Sequence, residues 1–523
     1  MTEGLRTRRS LAIVLAVALP LLALRLLTPY ELQETDQGKQ AQYALDVFAN
    51  GNWLAPSCLG DPATKPPLYT WLAAGLSHCM GTIDELTIRV PTVLAALGLV
   101  LVTWDIARVL AGPRVAAAAG VALATSHHFI HVSGVVRTDG LLAFLLAAQV
   151  LVHVRSLAHP RMPARAVALS CALAAAACLT KGPSGLLSCG VVALHLAATG
   201  RARRAWRAAA VPALAGLAAF AVWFTAAADA HPNVYETMVD RETATHLVRE
   251  GWPNPAYYLL HMPLRLLPWT ALLAPAVWLA ARAFRRRREE PVPPLVSLSL
   301  AWLAVHFAFY SLIPHQRPDL IYGAEPAAML LVAGLVEHTF PAWAPLAAAA
   351  LATVAAAVAA TPLAPYLQGH ELAPWAGPAA AAILVSGAVA ALALRRHGAP
   401  AAATFAALAA GGVADSFLDT AGDAARNARI SYVDFAATAR AESARTGLPI
   451  VAVGFRTTAP LFDLGITQRP GPADALAPGL RALVVTVPPS RAAVRRVLGK
   501  ERVVARHAAP GPSRPTLLLL AFP

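Results

Sequence analysis

Arg6-Thr7-Arg8-Arg9 is followed by the apolar run Leu11–Leu27, LAIVLAVALPLLALRLL, and then by Glu34-Thr35-Asp36-Gln37-Gly38-Lys39. The order is basic flank, spanning run, then a charged segment that needs water. A basic flank before an apolar run is shared with signal peptides, but this run is long enough to cross a bilayer, and no small-residue cleavage site precedes Pro29. It reads as an uncleaved first membrane helix with its N-terminus in the cytoplasm.

The whole chain extends this reading. Of 523 residues, 57% are hydrophobic and 14% charged, whereas a soluble domain is nearer half apolar and a quarter charged. Further apolar runs predict spans near 88–107, 115–131, 140–155, 166–180, 184–199, 209–228, 266–283, 294–312, 322–337, 343–361, 376–394 and 399–417, which makes about 13 helices. A net charge of +14 suggests nucleic acid at first sight, but the arginines gather in short loops. With the N-terminus inside, the inner loops take Arg108, Arg114, Arg155, Arg161, Arg165, the group Arg201–Arg207, Arg282, Arg285 to Arg288, Arg395 and Arg396, while most acids fall outside. That is the positive-inside distribution, and it excludes a nucleic-acid partner.

An odd number of spans leaves the end of the chain on the outer face. Residues 419–523 read as a small α/β domain there, distinct from a membrane domain over 1–418 whose long outer loop covers 29–87. Arg426 to Arg445 predicts an amphipathic helix; Pro449–Gly454, Ala482–Val487, Arg502–Arg506 and Thr516–Ala521 predict strands, with a helix near Ser490–Leu498. The five cysteines show no paired spacing that would indicate a zinc site or a disulfide framework.

The unusual polar clusters fall on the same expected outer side: the 34–67 segment, Arg137-Thr138-Asp139-Gly140, Thr180-Lys181-Gly182-Pro183-Ser184, the loop from His231 to Arg265 (with Asp240-Arg241-Glu242, His246 and Gly251), and His315-Gln316-Arg317-Pro318-Asp319. Each ion left in lipid costs about 2.5–3.5 kcal/mol on insertion scales, so charges at helix mouths pair or face an aqueous cleft. In such a cleft cations neutralise a phosphate leaving group and a carboxylate accepts a proton. Neither a GxxxxGK[ST] loop nor a GxGxxG after a strand is present, which points away from a nucleotide and towards an activated lipid phosphate. His127, His128 and His131 suggest a metal cluster, but their spacing puts only two on one face and no carboxylate lies near in sequence.

Asn50-Gly51-Asn52-Trp53-Leu54-Ala55-Pro56, Lys65-Pro66-Pro67-Leu68-Tyr69-Thr70-Trp71-Leu72, Ile88-Arg89-Val90-Pro91, Leu179-Thr180-Lys181-Gly182-Pro183 and Leu267-Pro268-Trp269 occur in that order. Over roughly residues 30–330 the chain resembles the lipid-phosphate-sugar glycosyltransferases of the GT-C fold, family 39/83 type. That group includes protein O-mannosyltransferases and lipid A aminoarabinose transferases. The resemblance implies an all-α polytopic membrane fold with a small extracytoplasmic α/β domain, in a bacterial inner membrane. It implies transfer of a sugar from a polyprenyl-phosphate carrier to an envelope lipid, glycan or protein.

By position, Asp36 looks like the family's catalytic carboxylate and Asp139 like a second acid of the active site. Lys65 looks like the residue that meets the donor phosphate, with Lys39, Arg137, Lys181 and Arg317 as further substrate-binding cations. Two departures stand out: Gln37 where the family commonly has Glu, and Thr64 where aminoarabinose transferases carry a metal-holding Glu. No metal or other cofactor is therefore expected. Plainer readings stand beside these: Asp36 as a helix N-cap, Lys65 as a snorkelling interfacial lysine, Lys181 as part of a helix break. A polytopic transporter or lipid flippase is the alternative class, although the chain shows no paired halves.

Overall fold

A computed structural model describes residues 3–28, 32, 35–239, 252–338, 340, 344–360, 373–455, 457–507 and 516–522. Glu34, Asp240, Arg241, Glu242, His246 and Gly251 of the expected outer clusters lie outside the described residues. The chain divides into two compact units. One comprises residues 1–28, 64–69 and 89–423; the other comprises 29–63, 70–88 and 424–523.

The first unit is a bundle of apolar helices. Nine described helical stretches are long and apolar enough to cross a membrane, or ten if one bent pair is a single span. Among the described residues this is fewer than the expected count of about 13, for three reasons. The run at 115–131 is two helices, Pro113–Ala124 and His127–Ser133, bent by 61°. The runs at 166–180 and 184–199 form one 35-residue stretch, Ala164–Ala198. It is interrupted at Gly182, whose φ of +58° is a conformation that residues with a Cβ rarely adopt. The runs near 266–283 and 343–361 give helices of only 16 and 17 described residues, Thr270–Arg285 and Ala344–Ala360.

Several polar side chains stitch the bundle. The indole of buried Trp269 donates to Thr125 Oγ1 at 3.1 Å, which accounts for the tryptophan of Leu267-Pro268-Trp269. Tyr69 and Thr92 hydroxyls lie 2.7 Å apart, and Thr92 Oγ1 donates to the Val135 carbonyl at 3.2 Å. That chain of bonds ties the segment carrying Lys65 to the start of the segment carrying Arg137 and Asp139. In the first helix, Glu3–Leu27, buried Arg25 pairs with Asp419 at 3.1 Å and Asp423 at 2.9 Å. A buried ion needs a partner of this kind, because desolvation costs several kcal/mol per charge.

The second unit is built on a four-stranded sheet of β3 (Ile450–Val453), β4 (Ala482–Thr486), β5 (Arg502–His507) and β6 (Leu517–Phe522), in the order β3-β4-β6-β5. β3 and β4 are parallel, and the other two pairings are antiparallel. All four strands fall on the short segments between Pro/Gly-rich turns that read as strands from the sequence. β4 and β6 are buried throughout, as expected for central strands covered on both faces. The amphipathic helix is Val433–Thr446, and residues 426–430 end the preceding helix Pro400–Ile430.

The same unit gives the expected outer loop a definite structure: helix Thr35–Asn50, a hairpin of β1 (Ser57–Cys58) and β2 (Asp61–Pro62), and helix Leu68–Met80, most of which belongs here. Leu59 shares an apolar core with Tyr432, Phe435, Leu483 and Leu519. At Gly38 the first of these helices meets Thr458 so closely that a Cβ would lie 2.0 Å from Thr458 Oγ1. Only glycine fits there without displacing a neighbour.

Candidate active site

In the first unit, helix Thr138–Ser156 begins directly after Arg137 and places Asp139 in its first turn. Asp139 is 7% exposed, and both of its oxygens are engaged: Lys181 Nζ donates to Oδ1 at 2.5 Å, and Arg137 Nε lies 3.1 Å from Oδ2. Lys181 reaches this point because the helix Ala164–Lys181 ends there, at the break made by Gly182. Lys65 lies within electrostatic reach of Lys181, two like charges brought together.

Arg137 also bridges to a second carboxylate. Its Nη1 donates to Asp319 Oδ2 at 2.8 Å. Asp319 then gathers further cations: Arg265 Nη1 at 3.6 Å and His128 Nε2 at 3.6 Å from Oδ1, and Arg317 Nη2 at 3.9 Å from Oδ2. On the far side of the His128 ring, Nδ1 lies 3.6 Å from Glu325 Oε2, and Ser126 donates to the other oxygen of Glu325. The edge of the imidazole meets the face of Tyr322 or the reverse, with centroids 5.1 Å apart at 80°. The result is a mostly buried chain, Lys181–Asp139–Arg137–Asp319–His128–Glu325.

Five cations, Lys65, Arg137, Lys181, Arg265 and Arg317, thus stand with two carboxylates, Asp139 and Asp319. The His128–Glu325 pair adds little net charge if both are ionised. This excess suits an anion, and an arginine-rich lining suits a phosphate in particular, because the planar guanidinium matches its oxygens.

Four of the residues expected from sequence, Arg137, Asp139, Lys181 and Arg317, are joined by ion pairs in this chain, and Lys65 is in their electrostatic range. Asp36 and Lys39 lie on helix Thr35–Asn50 in the other unit. Asp319, Arg265 and His128 stand in segments notable for their polar residues but carry no site role in the sequence reading, and Glu325 carries none either. Asp319 stands two residues from Arg317 in a segment already notable for its charge, and that spacing was the available signal. The histidine helix has carboxylates nearby after all, in space and not in sequence: Asp415 lies 2.9 Å from His127 Nδ1, and Asp319 and Glu325 flank His128.

Thr64 offers a neutral hydroxyl, and both oxygens of Asp139 face nitrogen cations. Among the described residues no group of three or more His, Cys, Asp or Glu side chains is arranged to hold a metal ion.

In the second unit, helix Thr35–Asn50 supplies a carboxylate clasp. Buried Asp46 accepts from Asn50 Nδ2 at 2.7 Å, Asn52 Nδ2 at 3.0 Å, Ser57 N at 2.8 Å and Ser57 Oγ at 2.9 Å. Trp71 Nε1 donates to the Trp53 carbonyl at 2.6 Å, and the Trp53 ring stacks on His78 at 5.7 Å. The motif Asn50-Gly51-Asn52-Trp53 is therefore a loop fixed by a charged acceptor and by ring stacking. Cys58 packs at the edge of this unit's core. Burial pushes its thiol up to about 11, against the pull of nearby Lys39.

Residues 64–227 match the family model described as dolichyl-phosphate-mannose-protein mannosyltransferase. Among curated proteins, the undecaprenyl phosphate-alpha-4-amino-4-deoxy-L-arabinose arabinosyl transferase 1 of Sodalis glossinidius is 26% identical over 321 residues, which are 58% of this chain and 54% of that protein. The corresponding transferase of Pseudomonas aeruginosa is 26% identical over 346 residues, 64% of this chain and 61% of the relative. The match thus spans a little over half the length of these relatives. Among solved structures, ArnT from Cupriavidus metallidurans bound to undecaprenyl phosphate aligns with a TM-score of 0.77 at 20% identity, over 98% of this chain and 97% of that one. The oligosaccharyltransferase AglB of Archaeoglobus fulgidus aligns more loosely, with a TM-score of 0.51 at 13% identity, over 91% and 69%. The chain thus shares its fold with these solved structures, and in residues 64–227 it is similar to the mannosyltransferase family.

Proposed function

We propose that this protein is a membrane glycosyltransferase that moves a sugar from a polyprenyl-phosphate carrier to an envelope lipid, glycan or protein on the extracytoplasmic face of a bacterial inner membrane. The observation that carries the reading is the cation excess around Asp139 and Asp319 at the ends of membrane helices. That lining suits a lipid phosphate whose apolar tail stays in the bilayer.

In the proposed reaction an acceptor hydroxyl or amine attacks the anomeric carbon of the donor. The new bond to that carbon forms as the carbon–oxygen bond to the phosphate breaks, and the bonding pair leaves with the phosphate oxygen. The acceptor proton passes to the Asp36 carboxylate. Lys65, Arg137 and Lys181 stabilise the negative charge that grows on the departing phosphate, with Lys39 and Arg317 as further contacts. Electrostatic stabilisation of this type is commonly the largest catalytic contribution, about 3–4 kcal/mol per donor removed. Asp139 holds Lys181 and Arg137 in place. No metal is assigned a role.

The test is transfer of label from a radiolabelled polyprenyl-phosphate sugar to membrane extract by the purified protein in nanodiscs, with and without EDTA. Asp36→Asn and Lys65→Ala should each lower transfer at least a hundredfold, and EDTA should have no effect. If both variants transfer label as well as the wild type, the assignment of roles is wrong. Lipid translocation without a covalent product would favour a flippase instead.

A further inference from the structure

We propose that Asp319 is a stand-in counter-ion, which holds the arginine cluster assembled until a lipid phosphate displaces it. This rests on the lipid-phosphate reading above and deepens it by assigning a positioning residue to the same site.

The geometry around Asp319 is uneven. Oδ2 accepts one close bond, from Arg137 at 2.8 Å, whereas Arg265, Arg317 and His128 all stand back at 3.6–3.9 Å. Among the described residues, Oδ1 and His128 Nε2 face each other at 3.6 Å, beyond ordinary hydrogen-bond length, and neither they nor Glu325 Oε2 make a closer bond. An unsatisfied charged group costs free energy, and what sets Asp319 apart is the number of cations that crowd one carboxylate. Here one carboxylate, with two oxygens, is shared among three arginines and a histidine.

A phosphate differs from a carboxylate in the relevant respects. It offers three free oxygens in a monoester and takes a second negative charge, and the product of the transfer, a polyprenyl phosphate, is such a monoester. It can accept from Arg137, Arg265 and Arg317 together, where Asp319 makes one short contact. Without Asp319, three guanidinium groups in a poorly solvated site would repel one another and drift apart. With Asp319 they remain poised, and the cluster pays for that order by competition between carboxylate and phosphate. Growth of charge on the leaving phosphate then draws the arginines from Asp319 towards it, which favours the transition state over the bound donor.

The experiment compares wild type with Asp319→Asn in nanodiscs. Isothermal titration with undecaprenyl phosphate measures affinity, and steady-state transfer supplies KM and kcat. Removing the competing charge while keeping the shape should tighten undecaprenyl phosphate binding about tenfold. It should also lower kcat through slow release of that product, and reduce the melting temperature of the ligand-free protein. The added phosphate lipid should then raise the melting temperature more in the variant than in wild type. A purely structural Asp319 would lower stability as well, but with unchanged or weaker affinity, and that result would overturn the proposal. If Asp319→Asn does not yield folded protein, Asp319→Ser is measured in the same way. Binding without transfer by wild type would sink the glycosyltransferase reading while leaving this one intact. Absence of binding by either form would sink both.

Discussion

Lys181 Nζ donates to Asp139 Oδ1 at 2.5 Å, between residues 42 positions apart, at the end of one membrane helix and the start of another. Each partner makes the burial of the other tolerable, and since Arg137 Nε also lies 3.1 Å from Asp139 Oδ2, removing either one upsets the charge balance of the whole buried group.

Asp139→Asn or Lys181→Met should each destabilise the protein by about 3–5 kcal/mol, the usual cost of breaking a buried pair from one side. Asp139→Asn combined with Lys181→Met should recover most of that loss, with no recovery of transfer activity. Thermal unfolding in detergent followed by a transfer assay checks both halves. A double variant as unstable as the singles would show that the pair is not the unit that matters.

Arg25 stands between Asp419 and Asp423 and donates from Nε to the Ile130 carbonyl at 3.2 Å. Arg25→Leu leaves two buried carboxylates facing each other and should cost more than Asp419→Asn, whose loss leaves Asp423 to balance the charge. The expected difference is about 1–3 kcal/mol. Melting temperatures of the two variants at one pH and one detergent concentration decide it, and equal losses would contradict the assignment of Arg25 as the hub.

Gly38→Ala should disrupt the packing of helix Thr35–Asn50 against Thr458, because the added methyl has no room beside Thr458 Oγ1. A loss of about 1–3 kcal/mol is the ordinary range for overpacking. Thr458→Ala removes the hydroxyl and should restore part of the loss in the double variant. Limited proteolysis of residues 35–63 provides the readout, and a double variant cleaved as fast as Gly38→Ala would refute the contact.

Cys58, with its thiol at about 11, should react slowly with maleimide at pH 8 while exposed Cys79 reacts readily. Labelling of Cys58 should accelerate as pH approaches that value, since the thiolate is the nucleophile. Lys39→Met removes the cation that holds the thiol down and should slow labelling further. Peptide mass spectrometry after timed quenching resolves the two sites, and faster labelling of Cys58 in Lys39→Met would reverse the sign of the argument.

Much of this architecture is legible without coordinates because bilayer thickness sets the length of apolar runs and Pro/Gly-rich turns bound the short ones. The four strands of the small sheet fall on such short segments. The grouping of Arg137, Asp139 and Lys181 is legible too, since each charged mouth must find a partner. The helix count was less legible. A run such as 115–131 is apolar throughout, and hydropathy does not register the 61° bend within it. Asp319 and Glu325 escaped for a different reason: their partner His128 lies almost two hundred residues away, and pairing over that distance leaves no local mark. Nor did composition show that residues 29–63 and 70–88 share a compact unit with the C-terminal sheet, because that association rests on contacts between parts of the chain far apart in sequence, such as Leu59 in its core, Gly38 against Thr458 and Arg469 with Asp61.

The pairing of Arg25 with Asp423 spans 398 residues and therefore sets a schedule for biosynthesis. The first helix leaves the ribosome with a charge that lipid disfavours by about 2.5–3.5 kcal/mol, and its counter-ions are encoded in the last membrane helix. At synthesis rates of about 5–20 residues per second, Arg25 waits roughly 20–80 s for them. Through that interval the nascent bundle must keep its opening segment near water or in the care of the insertion machinery. Arrival of Asp419 and Asp423 then gives Arg25 its buried counter-ions and ties the first helix to the helix Pro400–Ile430.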